Sequence, residues 1–427
     1  LTPFYSLTTF IMKKLFVFAF AAAAMVGCNS ENGEGTNVPG QSDELRVLTS
    51  VSTQTRTAVD GTGFPKGSYI GVQVTQKNDD TQLLSGGTGN GTYLYYSNGK
   101  NIRFGNEAGV NNWASIDEDN KTHLFILEGT AVGKVRGYYP YTAALEGVGA
   151  DDNTGAMIPV QIQKTGAIIA VDEPGQGTGD SDSKLAATSE NEIDYMFDAT
   201  TTDNGNNEVS AASTTTAKLV LKHALSRVSF RMYASSAAQA AVEGDEGSYY
   251  EFTGYTLRNR NGSEELVARF DENTRMKVST GEITGALSGG EYVRRIEGYR
   301  LERSKSDTPD DNNSIASASA SVGHLCFPQS IAHDGAKATG IEAVFEVRRM
   351  RGDGSVAQAS AGYSLPLVVE PGRSDEWLSG KHYIYTVKFT GNSLSIESVR
   401  VTDWNEVVGG DMNIGEDPYV SSSEVDP

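Results

Sequence analysis

The sequence predicts an all-β protein built as two tandem β-sandwiches. Three observations carry this expectation. Short apolar–polar alternations recur along the chain, each bounded by Gly, Asn, Asp or Pro. Long stretches of helical period are rare, while Gly, Ser, Thr and Tyr are abundant. A polar segment, Asp203–Thr216, rich in Asn, Ser and Thr, divides the alternating regions into two halves of single-domain size.

The first feature in chain order is Met12–Cys28, MKKLFVFAFAAAAMVGC. Lys13 and Lys14 give a positive start, and Leu15–Ala24 is an apolar core too short to be a permanent membrane span. Met25-Val26-Gly27-Cys28 fits a lipobox, in which small or apolar residues precede an acylated Cys. Leu is commoner than Met at its first position. An ordinary signal peptide cut at an Ala, or a buried helix, is the competing reading. On the lipobox reading, residues 1–28 are upstream residues and a lipoprotein signal peptide, with Leu1–Ile11 ahead of the natural start. Cys28 is then the site of lipid attachment, and the chain is expected to cross the inner membrane and stay on a lipid anchor. Residues 29–44 are polar and Gly-rich and read as a flexible tether.

Leu45–Val51 is the first strand, with Leu45, Val47, Thr49 and Val51 alternating with Arg46 and Leu48. Ser52–Thr57 is polar and contains Arg56. Asp60-Gly61 and Pro65-Lys66-Gly67 are turns, and Tyr69–Thr75 alternates through Ile70, Val72 and Val74. Tyr93–Tyr96 and Ile102–Phe104 flank the hairpin signal Asn98-Gly99. Leu124–Leu127 and Val135–Tyr139 follow, Pro140 ending the second. Met157–Ile162 is edge-like, because Pro159 cannot donate to a central ladder. Ile193–Phe197 closes the N-terminal sandwich, residues 45–214.

The C-terminal sandwich, residues 215–410, opens on Lys218–Tyr233, the strongest alternation in the chain. Its phase shifts near Ser226, which predicts a bulge. Tyr249–Leu257, Leu266–Phe270, Met276–Val278 and Leu325–Phe327 continue the pattern, with the acidic insert Ser304–Asn313 between the last two. Ile341–Arg349 and Ala359–Val369 form a hairpin around Arg351–Gly354, and Tyr383–Phe389 and Leu394–Val401 form another at Gly391-Asn392. Residues 411–427 are an acidic tail.

Composition excludes several functions. The formal charge is −20, and loss of residues 1–27, with Lys13 and Lys14 and no acid, leaves −22. So negative a chain repels phosphate backbones, so nucleic acid is not an expected partner. With Cys28 acylated, Cys326 has no intrachain partner and reads as a buried small hydrophobe. No pair among His123, His223, His324, His333 and His382 has metal-ligand spacing; His223, between Leu221 and Leu225, reads as a satisfied core or edge histidine. Residues 85–91, SGGTGNG, lack the Lys-Ser/Thr of a phosphate loop. Asp117/Asp119, Asp180/Asp182 and Asp310/Asp311 could offer carboxylates to Ca²⁺, but each lacks a full ligand set. The expectation is no catalytic residue, no metal and no cofactor. Arg351-Gly352-Asp353 spells the tripeptide that integrins read, a match short enough to arise by chance. For a monomeric surface lipoprotein binding glycan, Tyr93/Tyr95/Tyr96 or Tyr138/Tyr139/Tyr141 would be the aromatic platforms.

Further motifs follow in order: Thr55-Arg56-Thr57 ahead of Gly63-Phe64-Pro65 and Tyr69-Ile70-Gly71-Val72, Gly137-Tyr138-Tyr139-Pro140-Tyr141, Asp194-Tyr195-Met196-Phe197 and Leu221–Ser226. Trp377, Gly380–Tyr385 and Val401–Trp404 complete the series. With the lipobox Cys28, their order and spacing resemble the fimbrillin family, surface-fimbria subunits and related lipoproteins of Bacteroidetes. The resemblance implies two transthyretin-like sandwiches in a non-enzymatic fimbrial subunit. It also implies delivery to the outer membrane on a lipid anchor, cleavage by an Arg-specific surface protease, and loss of the first strand. A strand from another fimbrial subunit then fills the opened groove. Mapped here, the removable strand carries Leu45, Val47, Thr49 and Val51, and the cut falls after Arg56. Arg46, inside the strand, is the alternative cut, and Arg56 as a plain solvated loop residue is the other reading. Donor residues would be Val399, Val401, Val407, Val408, Met412 and Ile414, interrupted by Gly409-Gly410-Asp411. That weak donor pattern leaves stalk, tip and anchor positions open. A host or bacterial surface ligand is the remaining expected partner.

Overall fold

The computed structural model describes residues 43–51, 64, 67–88, 93–106, 113–117, 119, 121–146, 155–160, 193–199, 207–245, 247–259, 268–269, 274–284, 288–289, 291–301, 321–331, 340–369 and 376–403. The strands of the first half are β1 Arg46–Val51, β2 Tyr69–Gln76, β3 Asp79–Leu83, β4 Leu94–Tyr95, β5 Ile102–Gly105, β6 Ala114–Ser115, β7 His123–Leu124, β8 Gly133–Tyr139 and β9 Met157–Pro159. Next come β10 Met196–Asp198, β11 Glu208–Val209, β12 Thr216–His223, β13 Ser226–Ala234, helix α1 Ser236–Glu243, β14 Tyr249–Asn259, β15 Ala268–Arg269, β16 Arg275–Lys277, β17 Ile283–Thr284 and β18 Ser288–Gly289. The last are β19 Tyr292–Arg300, β20 Ser321–Cys326, β21 Gln329–Ser330, β22 Ile341–Met350, β23 Val356–Pro366, β24 Glu376–Trp377, β25 Lys381–Phe389 and β26 Leu394–Asp403. Strands dominate the described residues, in agreement with the expected class.

One large sheet runs in the order β1-β12-β10-β8-β2-β5-β6, with β11 added to β8 and β3 to β2. The alternation of β2 explains its place: Ile70, Val72 and Val74 are fully buried in one core with Phe104, Val135, Leu219 and Leu221. Gly71 lies between them for a steric reason. A Cβ there would strike the ring of Tyr138, which crosses Gly71 and donates its hydroxyl proton to Asn101 Oδ1 at 2.7 Å.

Two further sheets, β20-β13-β25-β26 and β19-β14-β22-β23, share a second core. Phe230 of β13 sits at its centre, with Phe345 and Tyr385 ring centroids 5.1 and 5.4 Å away. The expected hairpins β22–β23 and β25–β26 are both present. Gly391, at φ +99°, supplies the left-handed backbone the second turn needs.

A third core joins these regions. β9 pairs antiparallel with β16, so Ile158 meets Met276 across the ladder. Around them pack Tyr138, Tyr195, Ala224, Leu225, Leu325 and Phe327. β9 is an edge strand of its three-stranded sheet, as Pro159 requires.

Lys218–Tyr233 differs from expectation. It is two strands in two sheets rather than one bulged strand. β12 pairs with β1 and β10 in the first sheet, whereas β13 pairs with β20 and β25 in the second. The phase shift is the sheet change itself, made by Ala224 and Leu225, both fully buried. The expected division at residue 215 therefore falls ahead of a strand that belongs to the first sheet. Helix α1 lies outside the sequence expectation; Ser235 caps it, its hydroxyl accepting the Ala238 N–H at 3.1 Å.

His324 of β20 faces the second core, its Nδ1 2.8 Å from the Tyr255 hydroxyl and its ring stacked on Tyr292. Burial, reinforced by the Arg294 charge, holds its pKa well below the ordinary 6.5. The folded state thus keeps it neutral where the unfolded chain takes up a proton. Its contribution is complete above pH 6.5 and is lost as pH falls below that value toward the depressed folded pKa. Urea titrations should show stability falling by up to about 1.4 kcal/mol per pH unit in that window. His324→Gln should flatten that slope. At the sheet change, Leu225→Ala should cost about 2–5 kcal/mol in the same measurement.

Candidate functional site

The candidate site is the seat of β1 on the edge of the large sheet. β1 runs parallel to β12, with Arg46 opposite Thr216 and Val51 opposite Leu221. Just before it the chain is held differently. Leu45 N–H donates to Phe125 O at 2.9 Å, Leu127 N–H donates to Asp43 O at 2.9 Å, and Arg46 N–H donates to Thr215 O at 2.8 Å. The segment 43–51 thus lies along two backbone edges, the 125–127 segment and then β12.

Side-chain alternation follows the sequence pattern. Leu45, Val47 and Thr49 point into the first core and are 1%, 2% and 8% exposed, while Leu48 on the other face is 49% exposed. Burial of Leu45 and Val47 contributes about 1.5–3 kcal/mol each. Thr49 adds a directed contact: its Oγ1 accepts the Trp113 indole N–H at 2.8 Å. Trp113 is itself set edge-on against Phe64, ring centroids 5.2 Å apart. Glu44 is half-buried, and desolvation pushes its pKa up, opposed by the Arg46 charge.

The other expected site residues fall as follows. Val51 belongs to β1 by its backbone pairing to Leu221. Arg46 is exposed by side chain but bound by backbone within the strand. Val399 and Val401 lie in β26, paired to Tyr385 and Tyr383 and packed on the second core, so they occupy the edge of the β20-β13-β25-β26 sheet. Cys28, Arg56, Val407, Val408, Met412 and Ile414 lie outside the described residues. Trp113 is a site residue that the sequence pattern does not reveal; only the fold places it beside Thr49.

Tyr138, Tyr139 and Tyr141 are buried, so they form core and not a platform. Tyr96 stacks on His123 with centroids 4.0 Å apart. Asp117 accepts the Lys121 N–H, and Asp119 pairs with the Lys121 ammonium at 3.3 Å. His223 is buried against Asp194 at 2.7 Å. Arg351–Asp353 is exposed at the β22–β23 tip, where Asp353 accepts the Ser355 N–H and Arg351 donates to Val356 O.

Residues 55–404 match the fimbrillin-like family model. The chain belongs to the fimbrillin-like family. Similar solved structures include a candidate cell adhesion protein of Bacteroides uniformis, at 15% identity and TM-score 0.44, covering 84% of this chain and 98% of that one. A fimbrial protein of Bacteroides vulgatus has 12% identity and TM-score 0.45, covering 84% and 99%. The fimbrilin of Porphyromonas gingivalis has 11% identity and TM-score 0.35, covering 84% and 98%. Comparison with curated proteins gives no match.

The seating of β1 makes a contrast testable. Leu45→Ala should destabilise by about 2–5 kcal/mol in chemical denaturation, whereas Leu48→Ala should stay within about 0.5 kcal/mol of the parent.

Proposed function

We propose that this chain is a non-enzymatic structural or adhesive subunit of a cell-surface fimbria, assembled by strand exchange. In this reading it is exported as a lipoprotein, acylated at Cys28 and held at the outer membrane. An Arg-specific surface protease then cuts after Arg56, releasing the lipid and the first strand together. A strand from another fimbrial subunit takes the vacated seat. The observation that carries this reading is β1 itself: a terminal edge strand whose inward side chains fill the first core. Its removal would leave unpaired β12 backbone and bare apolar surface, and an incoming strand would satisfy both. The alternative, a monomeric lipoprotein that binds glycan or a host ligand, has less to stand on once the Tyr138 cluster lies in the core.

Treatment of the purified full chain with an Arg-specific protease should give a fragment ending at Arg56 by mass spectrometry and an oligomer ladder on native gels. Arg56→Ala should abolish both. A ladder that persists unchanged in that variant would sink the cleavage mechanism.

A further inference from the structure

The geometry points to Trp113 as the residue that selects and registers the strand replacing β1; this rests on the strand-exchange reading above. The incoming strand must place a side-chain oxygen at the Thr49 position. The reason is the 2.8 Å indole bond to Thr49 Oγ1, made by two residues that are 7% and 8% exposed. The Leu45 and Val47 positions accept any apolar side chain of suitable size, so they define a face but not a register. A purely apolar strand could slide along β12 by two residues and still fill them. The indole N–H removes that freedom. A hydrocarbon opposite it leaves a buried donor without an acceptor, which costs far more than the bond is worth when made.

The required pattern is therefore apolar, any, apolar, any, oxygen-bearing, running parallel to β12. This chain supplies that spacing three times near its C-terminal end, the first being Leu394-Ser395-Ile396-Glu397-Ser398, which is paired within β26. Val399-Arg400-Val401-Thr402-Asp403 is the second, and it too is already paired as β26. Beyond Asp403, Met412-Asn413-Ile414-Gly415-Glu416 alone has it. The occupant is Met412–Glu416 of a second copy, with Met412 and Ile414 in the Leu45 and Val47 seats and the Glu416 carboxylate accepting from Trp113.

The test uses the full chain cut after Arg56 and four fluorescein-labelled peptides, their uptake read by anisotropy. These are Asp43–Ser52, the same with Thr49→Val, Gly410–Pro418, and the same with Glu416→Leu. Valine keeps the shape of threonine and removes only the acceptor. The parent peptide of each pair should bind about tenfold or more tightly than its variant. In a Trp113→Phe chain the Asp43–Ser52 peptide and its Thr49→Val variant should bind alike; if that chain does not fold, the peptide pairs on the parent protein still decide. Equal uptake within both pairs would overturn the role of Trp113 and leave strand exchange standing. Entry of the 43–52 peptide without the 410–418 peptide would overturn the assigned occupant. If no cut or no uptake occurs, both this inference and the strand-exchange reading fail.

Discussion

The sheet change at Ala224–Leu225 is the constraint on which the rest of the structure depends. One run of chain is the neighbour of β1 in the first sheet and, two residues later, a central strand of the second sandwich. Both linking residues are fully buried, so the connection cannot act as a loose hinge. Its flanks are tied from the far end of the chain: Ser379 Oγ donates to His223 O at 2.7 Å, and Gly380 N–H donates to Leu225 O at 2.8 Å. The buried His223–Asp194 pair holds the last residue of β12 against the strand region beside it. Packing in the third core then brings β9 and β16, distant in sequence, into one small sheet.

Much of the fold is legible in the sequence because alternation is a local signal. The β22–β23 and β25–β26 hairpins can be read from two apolar runs and a turn. The pattern tells which side chains face inward, but not which sheet a strand joins. That is why alternation alone assigns β12 to the wrong half. Tyr138 and Tyr139 show the same limit. Consecutive residues face opposite ways, yet both are buried, one in the third core and the other in the first. Helix α1 leaves little trace in the pattern because SAAQAAVE is short and owes its start to a single cap, not to a long apolar stripe.

The candidate site is legible in half. The apolar face of β1 stands in the sequence as Leu45, Val47 and Thr49, and the fold buries those three. Nothing local marks Trp113, which is 64 residues from Thr49 and acquires its role only when the two come to lie on the same core. Val399 and Val401 carry an alternation that the sequence alone could not assign to a sheet. Their alternation is real, but it belongs to the edge of the C-terminal sandwich.

The parallel pairing of β1 with β12 has a mechanical consequence. Tension directed along a strand lying in the β1 seat meets its β12 neighbour in shear, so the ladder bonds share the stress instead of peeling one after another. The stress then passes along the β12 backbone, through Ala224 and Leu225, into β13 between its two neighbours in the second sandwich. A tensile path of this kind crosses the molecule on one continuous stretch of backbone and involves no flexible connector.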